Sequence, residues 1–165
     1  MAEVFSIVPL DNKWCEQIAG LILPIQQIEF NVPITLEGQP DLLDIETNYL
    51  AGGGGFWGAV VEGELVGTIA LMSTGHNAGV IRKMFVRKNY RGSQYGIAQR
   101  LLQKLLDECR GKGITDVYLG TFDALKAACR FYEKNGFVQL TKEELPHFFP
   151  YMKPDNVFYT LHLTA

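Results

Sequence analysis

Long apolar runs are absent from this 165-residue chain. None approaches the roughly 20 residues that a bilayer-crossing helix needs, so no membrane partner is expected. The first residues, Met1-Ala2-Glu3-Val4-Phe5, hold no basic stretch leading into an apolar one. A secretory signal is therefore not expected, and the cytoplasm is the expected location. Clustered basic residues are lacking as well. The formal net charge is -3 and Lys and Arg are scattered, which leaves no patch from which counterion release could drive nucleic-acid binding. Cysteine is sparse: Cys15, Cys109 and Cys129 are odd in number and lack metal-ligand spacing. No metal site is expected, and the latter two read as small buried apolar groups within helical patterns. The run Gly52-Gly53-Gly54-Gly55 lacks the Lys-Ser or Lys-Thr pair of a phosphate loop and leads into a strand instead of a helix. It reads as a flexible connector.

What is present is enough apolar residue to enclose a core. Hydrophobic residues make up 47% and charged residues 20%, the balance of a folded domain, and the length fits one domain over residues 1–165. A short strand is predicted from Val4 to Pro9. Apolar residues Trp14, Ile18, Leu21, Ile22, Ile25 and Ile28 recur at helical spacing between Lys13 and Phe30, with Pro24 placed to kink or divide that helix. A polar connector, Asn31 to Pro40, leads to a second helix starting near Gln39, with Leu42, Leu43, Ile45 and Leu50 on its apolar face. Strands follow at Phe56–Val61 and Leu65–Met72, joined by a hairpin turn at Glu62-Gly63-Glu64.

The second half alternates strands and helices. A strand from Val80 to Arg87 is expected to put Ile81, Lys83 and Phe85 on one face and Arg82, Met84 and Val86 on the other. The turn Arg91 to Gly96 leads into a helix whose stripe is Ile97, Leu101, Leu102, Leu105, Leu106 and Cys109, closed by Gly111 or Gly113. Asp116 to Thr121 reads as a strand. Asp123 is the expected N-cap of a helix from Ala124 to Asn135, stopped at Gly136. Strands at Phe137–Leu140 and Val157–Leu163 complete one mixed α/β domain.

The turn Arg91-Gly92-Ser93-Gln94-Tyr95-Gly96-Ile97-Ala98 carries most of the chemistry. A strand feeds it, and it opens directly onto a helix, whose first amides have no internal partner and carry partial positive charge. The small residues Gly96 and Ala98 would let a pyrophosphate approach the backbone, and Arg91 adds a cation. The arrangement suits an anion.

Strand, Arg-Gly turn, leucine-rich helix, strand, and a helix ending Arg130-Phe131-Tyr132-Glu133-Lys134-Asn135-Gly136-Phe137 resemble the GNAT superfamily of N-acetyltransferases. Ser93-Gln94-Tyr95-Gly96-Ile97-Ala98 fits the second half of that family's Gln/Arg-x-x-Gly-x-Gly/Ala turn, with Ser93 in the place of Gln or Arg. The Arg-Gly pair stands two residues early, so the loop looks longer than the common form. Ala128 and Phe131 to Phe137 fit the Ala-x-x-Phe/Leu-Tyr-Glu-x-x-Gly-Phe helix end, with Leu125 replacing an asparagine that commonly contacts the cofactor one turn earlier. Together these motifs span about a third of the chain.

The resemblance implies an α/β (α+β) fold built on a mixed, mostly antiparallel sheet of six to seven strands, splayed in the middle and flanked by about four helices. It implies acetyl-CoA as co-substrate, lying where the Val80–Arg87 and Asp116–Thr121 strands part. Met84, Phe85 and Val86 would pair with the pantetheine amides through their backbone, and a backbone N–H there would hold the oxyanion. Arg91, Gly92, Ser93, Gln94, Tyr95, Gly96, Ile97 and Ala98 would bind the phosphates. Tyr132 is the expected general acid toward the departing thiolate, although free pKa values of about 10 and about 8.5 make that transfer uphill in water by roughly 2 kcal/mol.

An amine acceptor must lose a proton, yet Val80-Ile81-Arg82-Lys83 holds no glutamate such as many family members place there. Glu29, His76 and His147 are candidate bases, none of them assigned. Glu29, Phe30, Asp41 and Phe148 are the candidate acceptor contacts, and a homodimer is compatible with the sequence. Two other readings fit the same residues: an acyl-CoA sensor of the same fold without turnover, and a protein-interaction module.

Overall fold

Seven β-strands and three α-helices are found among residues 5–152 and 155–164, the part of the chain that the computed structural model describes. The strands are β1 (Ser6–Pro9), β2 (Gly55–Val61), β3 (Glu64–Gly75), β4 (Ala78–Val86), β5 (Asp116–Thr121), β6 (Val138–Leu140) and β7 (Val157–His162). The helices are α1 (Cys15–Pro24), α2 (Ile97–Gly111) and α3 (Lys126–Lys134). The strand order is β1-β2-β3-β4-β5-β7-β6. β1 with β2, β2 with β3, β5 with β7 and β6 with β7 are antiparallel, whereas β4 meets β5 in parallel. The sheet is therefore open, mixed and mostly antiparallel, as the resemblance implies. The parallel ladder is confined to three residue pairs, Ala78↔Asp116 to Val80↔Tyr118.

The chain divides into two units, Met1–Met72 with Arg82–Glu108, and Ser73–Ile81 with Cys109–Ala165. In the first, Leu10, Ile18, Leu21, Ile22, Leu42, Ile45, Tyr49, Phe56 and Leu65 form the core. Burying one such side chain is worth about 1.5–3 kcal/mol against leaving it exposed. The stripe expected on α2 is buried without exception, from Ile97 through Leu101, Leu102, Leu105 and Leu106 to Cys109. The helix lies close against β3: a Cβ built on Gly67 would come within 3.1 Å of Ile97 Cγ2 and 3.2 Å of Leu101 Cδ1.

Helical spacing over-predicts regularity between residues 13 and 50. α1 ends at Pro24 and gives way to a π-helical stretch, Ile25–Glu29, in which the Phe30 N–H donates to Ile25 O at 3.0 Å. The helix expected from Gln39 is two separate turns, a 3-10 turn at Pro40–Leu43 and a π turn at Glu46–Leu50. Asp44 divides them. Its backbone leaves the helical region (φ -150°, ψ 83°) and its Oδ1 accepts the Thr47 N–H at 3.1 Å, so a side chain competes with the helical bond pattern and restarts the turn. The glycine run then closes this stretch. Gly53 and Gly54 donate their N–H groups to Leu50 O and Tyr49 O, and a Cβ on Gly54 would lie 2.0 Å from Leu71 O.

In β4 the expected alternation fails at Lys83, whose φ is +54°. A left-handed residue rotates the chain, so the residues after it leave the two-residue period. The Thr68 hydroxyl donates to Lys83 O at 2.8 Å and holds the distortion.

The second unit carries the other correction. Asp123 does not cap α3; its own N–H donates to Asn156 Oδ1 at 3.0 Å. A turn closed from Leu125 N to Phe122 O precedes the helix, which starts at Lys126 without a side-chain cap. The helix end agrees with expectation. The Gly136 N–H donates to Glu133 O and the Phe137 N–H to Tyr132 O, with Gly136 at φ +89°. This is a Schellman closure, reinforced by Tyr132 and Phe137 ring centroids 5.5 Å apart.

Candidate active site

β4 hands the chain to a 3-10 turn, Lys88–Tyr90, and then to the glycine turn. Gly92 (φ +109°) and Gly96 (φ +69°) adopt backbone conformations that L side chains rarely take. The Gly92 carbonyl accepts both the Tyr95 and Gly96 N–H groups at 3.2 Å, and the Tyr90 and Tyr95 rings lie 5.6 Å apart. Gly96 O then accepts the Arg100 N–H at 3.0 Å and starts α2. Among the described residues the N–H groups of Ile97 and Ala98 have no protein partner. A helix of 15 residues therefore begins with bare amides behind a tight turn.

Arg91 is already engaged. Its Nε donates to Val86 O at 2.8 Å, and both terminal nitrogens donate to the Glu29 carboxylate, one of them at 2.7 Å. Its guanidinium lies 5.9 Å from the Phe30 ring centroid. The structure thus joins Glu29 and Phe30 to Arg91 and to the carbonyl of Val86. The hydrogen bond from Arg91 holds the Glu29 carboxyl below its usual range against a smaller opposing effect of burial, and the charges of Arg91 and Lys88 act the same way.

Asp41 stands in a second cluster. Its Oδ2 accepts the Tyr49 hydroxyl at 2.6 Å and lies 3.6 Å from Lys83 Nζ, an ammonium on a side chain only 6% exposed. Lys83 also donates to Gln39 Oε1, and Gln39 exchanges amide hydrogen bonds with Gln26 at 2.8 and 3.1 Å. Burial, and then the charge of Asp41, push the Tyr49 hydroxyl above the ordinary phenol range. Asp41, proposed from sequence for a cationic acceptor, thus has a protein cation beside it. Nothing in the linear spacing pointed to Lys83, because its role depends on the left-handed turn of β4.

Tyr132 is only 5% exposed, its ring packed among Phe131, Phe137 and Tyr159 at centroid distances of 5.6, 5.5 and 6.1 Å. Among the described residues no group hydrogen-bonds its hydroxyl. Fully buried side-chain oxygens and nitrogens all have partners among those residues, so this hydroxyl is not wholly sealed inside its apolar nest. Burial, with Cys129 adding to it, pushes its pKa above the ordinary phenol range. The neighbouring Tyr159 hydroxyl is instead occupied, donating to Glu133 Oε2 at 2.7 Å. Phe148 stacks on His76 with centroids 4.3 Å apart and planes 14° apart, and the His147 ring lies 6.1 Å from that of His76.

A glycine turn ahead of bare helix amides is an arrangement suited to a phosphate-bearing ligand. A sequence model of the acetyltransferase (GNAT) family matches residues 22–137. An acetyltransferase of the GNAT family from Staphylococcus aureus Mu50 has 39% identity and a TM-score of 0.93, over 97% of this chain and 99% of that one. The chain belongs to the GNAT family of acetyltransferases.

N-acetylaspartate synthetase of Xenopus tropicalis is 38% identical over 99 residues, which is 59% of this chain and 36% of that protein. N-acetylglutamate synthase from Neisseria gonorrhoeae, solved with coenzyme A and N-acetyl-glutamate, shares the fold with a TM-score of 0.75 at 20% identity, over 100% of this chain and 36% of that one. The match covers between 32% and 64% of the length of such curated relatives. No helix among the described residues is long and apolar enough to cross a membrane.

Proposed function

We propose that the chain is an acetyl-CoA-dependent N-acyltransferase that moves an acetyl group to a primary amine by direct attack, in the cytoplasm. The observation that carries the catalytic half of this reading is the unpaired hydroxyl of Tyr132 on a buried ring. The bare amides of Ile97 and Ala98 support the cofactor half.

Acetyl-CoA, when bound, supplies an activated acyl carbonyl and a thiol leaving group. The turn from Gly92 to Ala98 orients the phosphates, and the backbone of Met84, Phe85 and Val86 aligns the pantetheine as an added strand would. Tyr132 holds a proton on its hydroxyl. Its raised pKa keeps it protonated throughout the physiological range, which suits a donor and not a base. Desolvation makes a thiolate more basic too, which would narrow the gap between the two groups. Glu29, Phe30, Asp41 and Phe148 remain the proposed acceptor contacts. The general base is unassigned.

The test is thiol release from acetyl-CoA with a panel of amines, including aspartate, since a relative is named for making its acetylated form. Wild type should release CoA. Tyr132→Phe should lose about 10²–10⁴-fold in kcat while CoA still binds. An unchanged kcat removes Tyr132 from the chemistry, and CoA binding without release for any amine replaces the enzyme with an acyl-CoA sensor.

A further inference from the structure

The positive group at the mouth of the glycine turn is not waiting for a ligand; it already holds one. Arg91 immediately precedes Gly92, is pinned to Val86 O through Nε, and presents both terminal nitrogens to the Glu29 carboxylate. A two-toothed carboxylate occupies the same donor fork that a phosphate would use. Seating a phosphate beside it would place two anions against one guanidinium, with Lys88 the other cation near Glu29.

The two anions repel unless one leaves. Both side chains reach solvent, Arg91 at 34% and Glu29 at 24% exposure, so the exchange needs no opening of the core. Glu29 also ends the π-helical stretch that begins at Ile25, immediately after Pro24.

We infer that Glu29 is a resident competitor for Arg91, and that a phosphate of the bound cofactor must displace it, so that Glu29 sets the affinity for phosphate-bearing ligands and releases the 25–30 stretch as they bind. This rests on the acetyl-CoA assignment above. The displacement also reassigns Glu29: its carboxylate becomes available to an acceptor only after the cofactor is in place, which favours binding in that order.

Calorimetric titration of wild type and Glu29→Gln with CoA, dephospho-CoA and pantetheine tests the idea. A displaced partly exposed ion pair predicts that Glu29→Gln binds CoA roughly three- to fivefold more tightly, with pantetheine unchanged. Equal tightening for dephospho-CoA assigns the pyrophosphate as the displacing group; tightening for CoA alone assigns the 3′-phosphate. The gain should vanish when Arg91→Gln is added to Glu29→Gln.

Unchanged or weaker CoA binding by Glu29→Gln overturns the inference, because Glu29 would then only orient Arg91. Absence of CoA binding by wild type sinks the cofactor assignment and the inference together. In wild type, hydrogen exchange gives a second readout. The Phe30 N–H bonds Ile25 O and the Val32 N–H bonds Gln26 O, and both should exchange faster with CoA bound. Unaltered exchange there under saturating CoA means that Glu29 was not displaced.

Discussion

Two tyrosines of the second unit, their ring centroids 6.1 Å apart, show how a hydroxyl's neighbours decide its use. Tyr159 and Tyr132 are both buried and both pushed above the phenol range, first of all by burial. Tyr159 donates to Glu133 and is held as a structural pin, whereas Tyr132 keeps an uncommitted proton. Glu29 offers a cleaner titration. Its folded carboxyl is depressed below its ordinary value of 4.5. A depressed acid contributes stability above its unfolded pKa and gives it up as pH falls through the folded one. Urea denaturation of wild type against Glu29→Gln should therefore differ at neutral pH by no more than about 1 kcal/mol, given the partial exposure. That difference should begin to shrink as the pH drops below about 4.5 and vanish only once the folded carboxyl is protonated as well. A difference that persists unchanged into stronger acid would show that the Arg91 contact is not what depresses Glu29.

At the scale of elements, the helices end by backbone geometry. α2 closes as α3 does: the Ile114 N–H donates to Cys109 O and the Gly113 N–H to Arg110 O. Gly136 tests the device, because a Cβ there would have room, its nearest neighbour being Leu161 Cδ1 at 3.7 Å. The cost of Gly136→Ala is thus almost wholly conformational, about 1–2 kcal/mol. It should appear as a lower urea midpoint with an unchanged slope.

These closures were legible in the residues, as were the α2 stripe, β5 at Asp116–Thr121, and the hairpin at Glu62 and Gly63, both of positive φ. Each is decided within a few positions of itself. The broken second helix was not legible, because Asp44 side-chain bonding to Thr47 and Asn12 outweighs apolar spacing. The start of α3 was missed for a similar reason, since Asn156 lies 33 residues from Asp123. Of the candidate site, the glycine turn and the buried helix end that holds Tyr132 follow from local pattern. The pairing of Arg91 with Glu29, 62 residues away, could not.

For the molecule as a whole, a ligand that binds only the folded chain must stabilise it. CoA at a hundred times its dissociation constant should add about 2.7 kcal/mol, seen as a rise in melting temperature that grows with the logarithm of concentration. A flat melting temperature across that range would contradict cofactor binding.

The irregular stretch between Pro24 and Ala51 also has a history in synthesis. Its polar anchors, Lys83 and Arg91, are encoded well downstream of the Asp41 and Glu29 that they hold. A ribosome adding about 5–20 residues each second takes roughly 3–12 seconds to travel from Glu29 to Arg91. For most of that interval neither Lys83 nor Arg91 has been made, and the stretch, with Ile28 80% exposed even in the finished fold, lacks the partners that hold it.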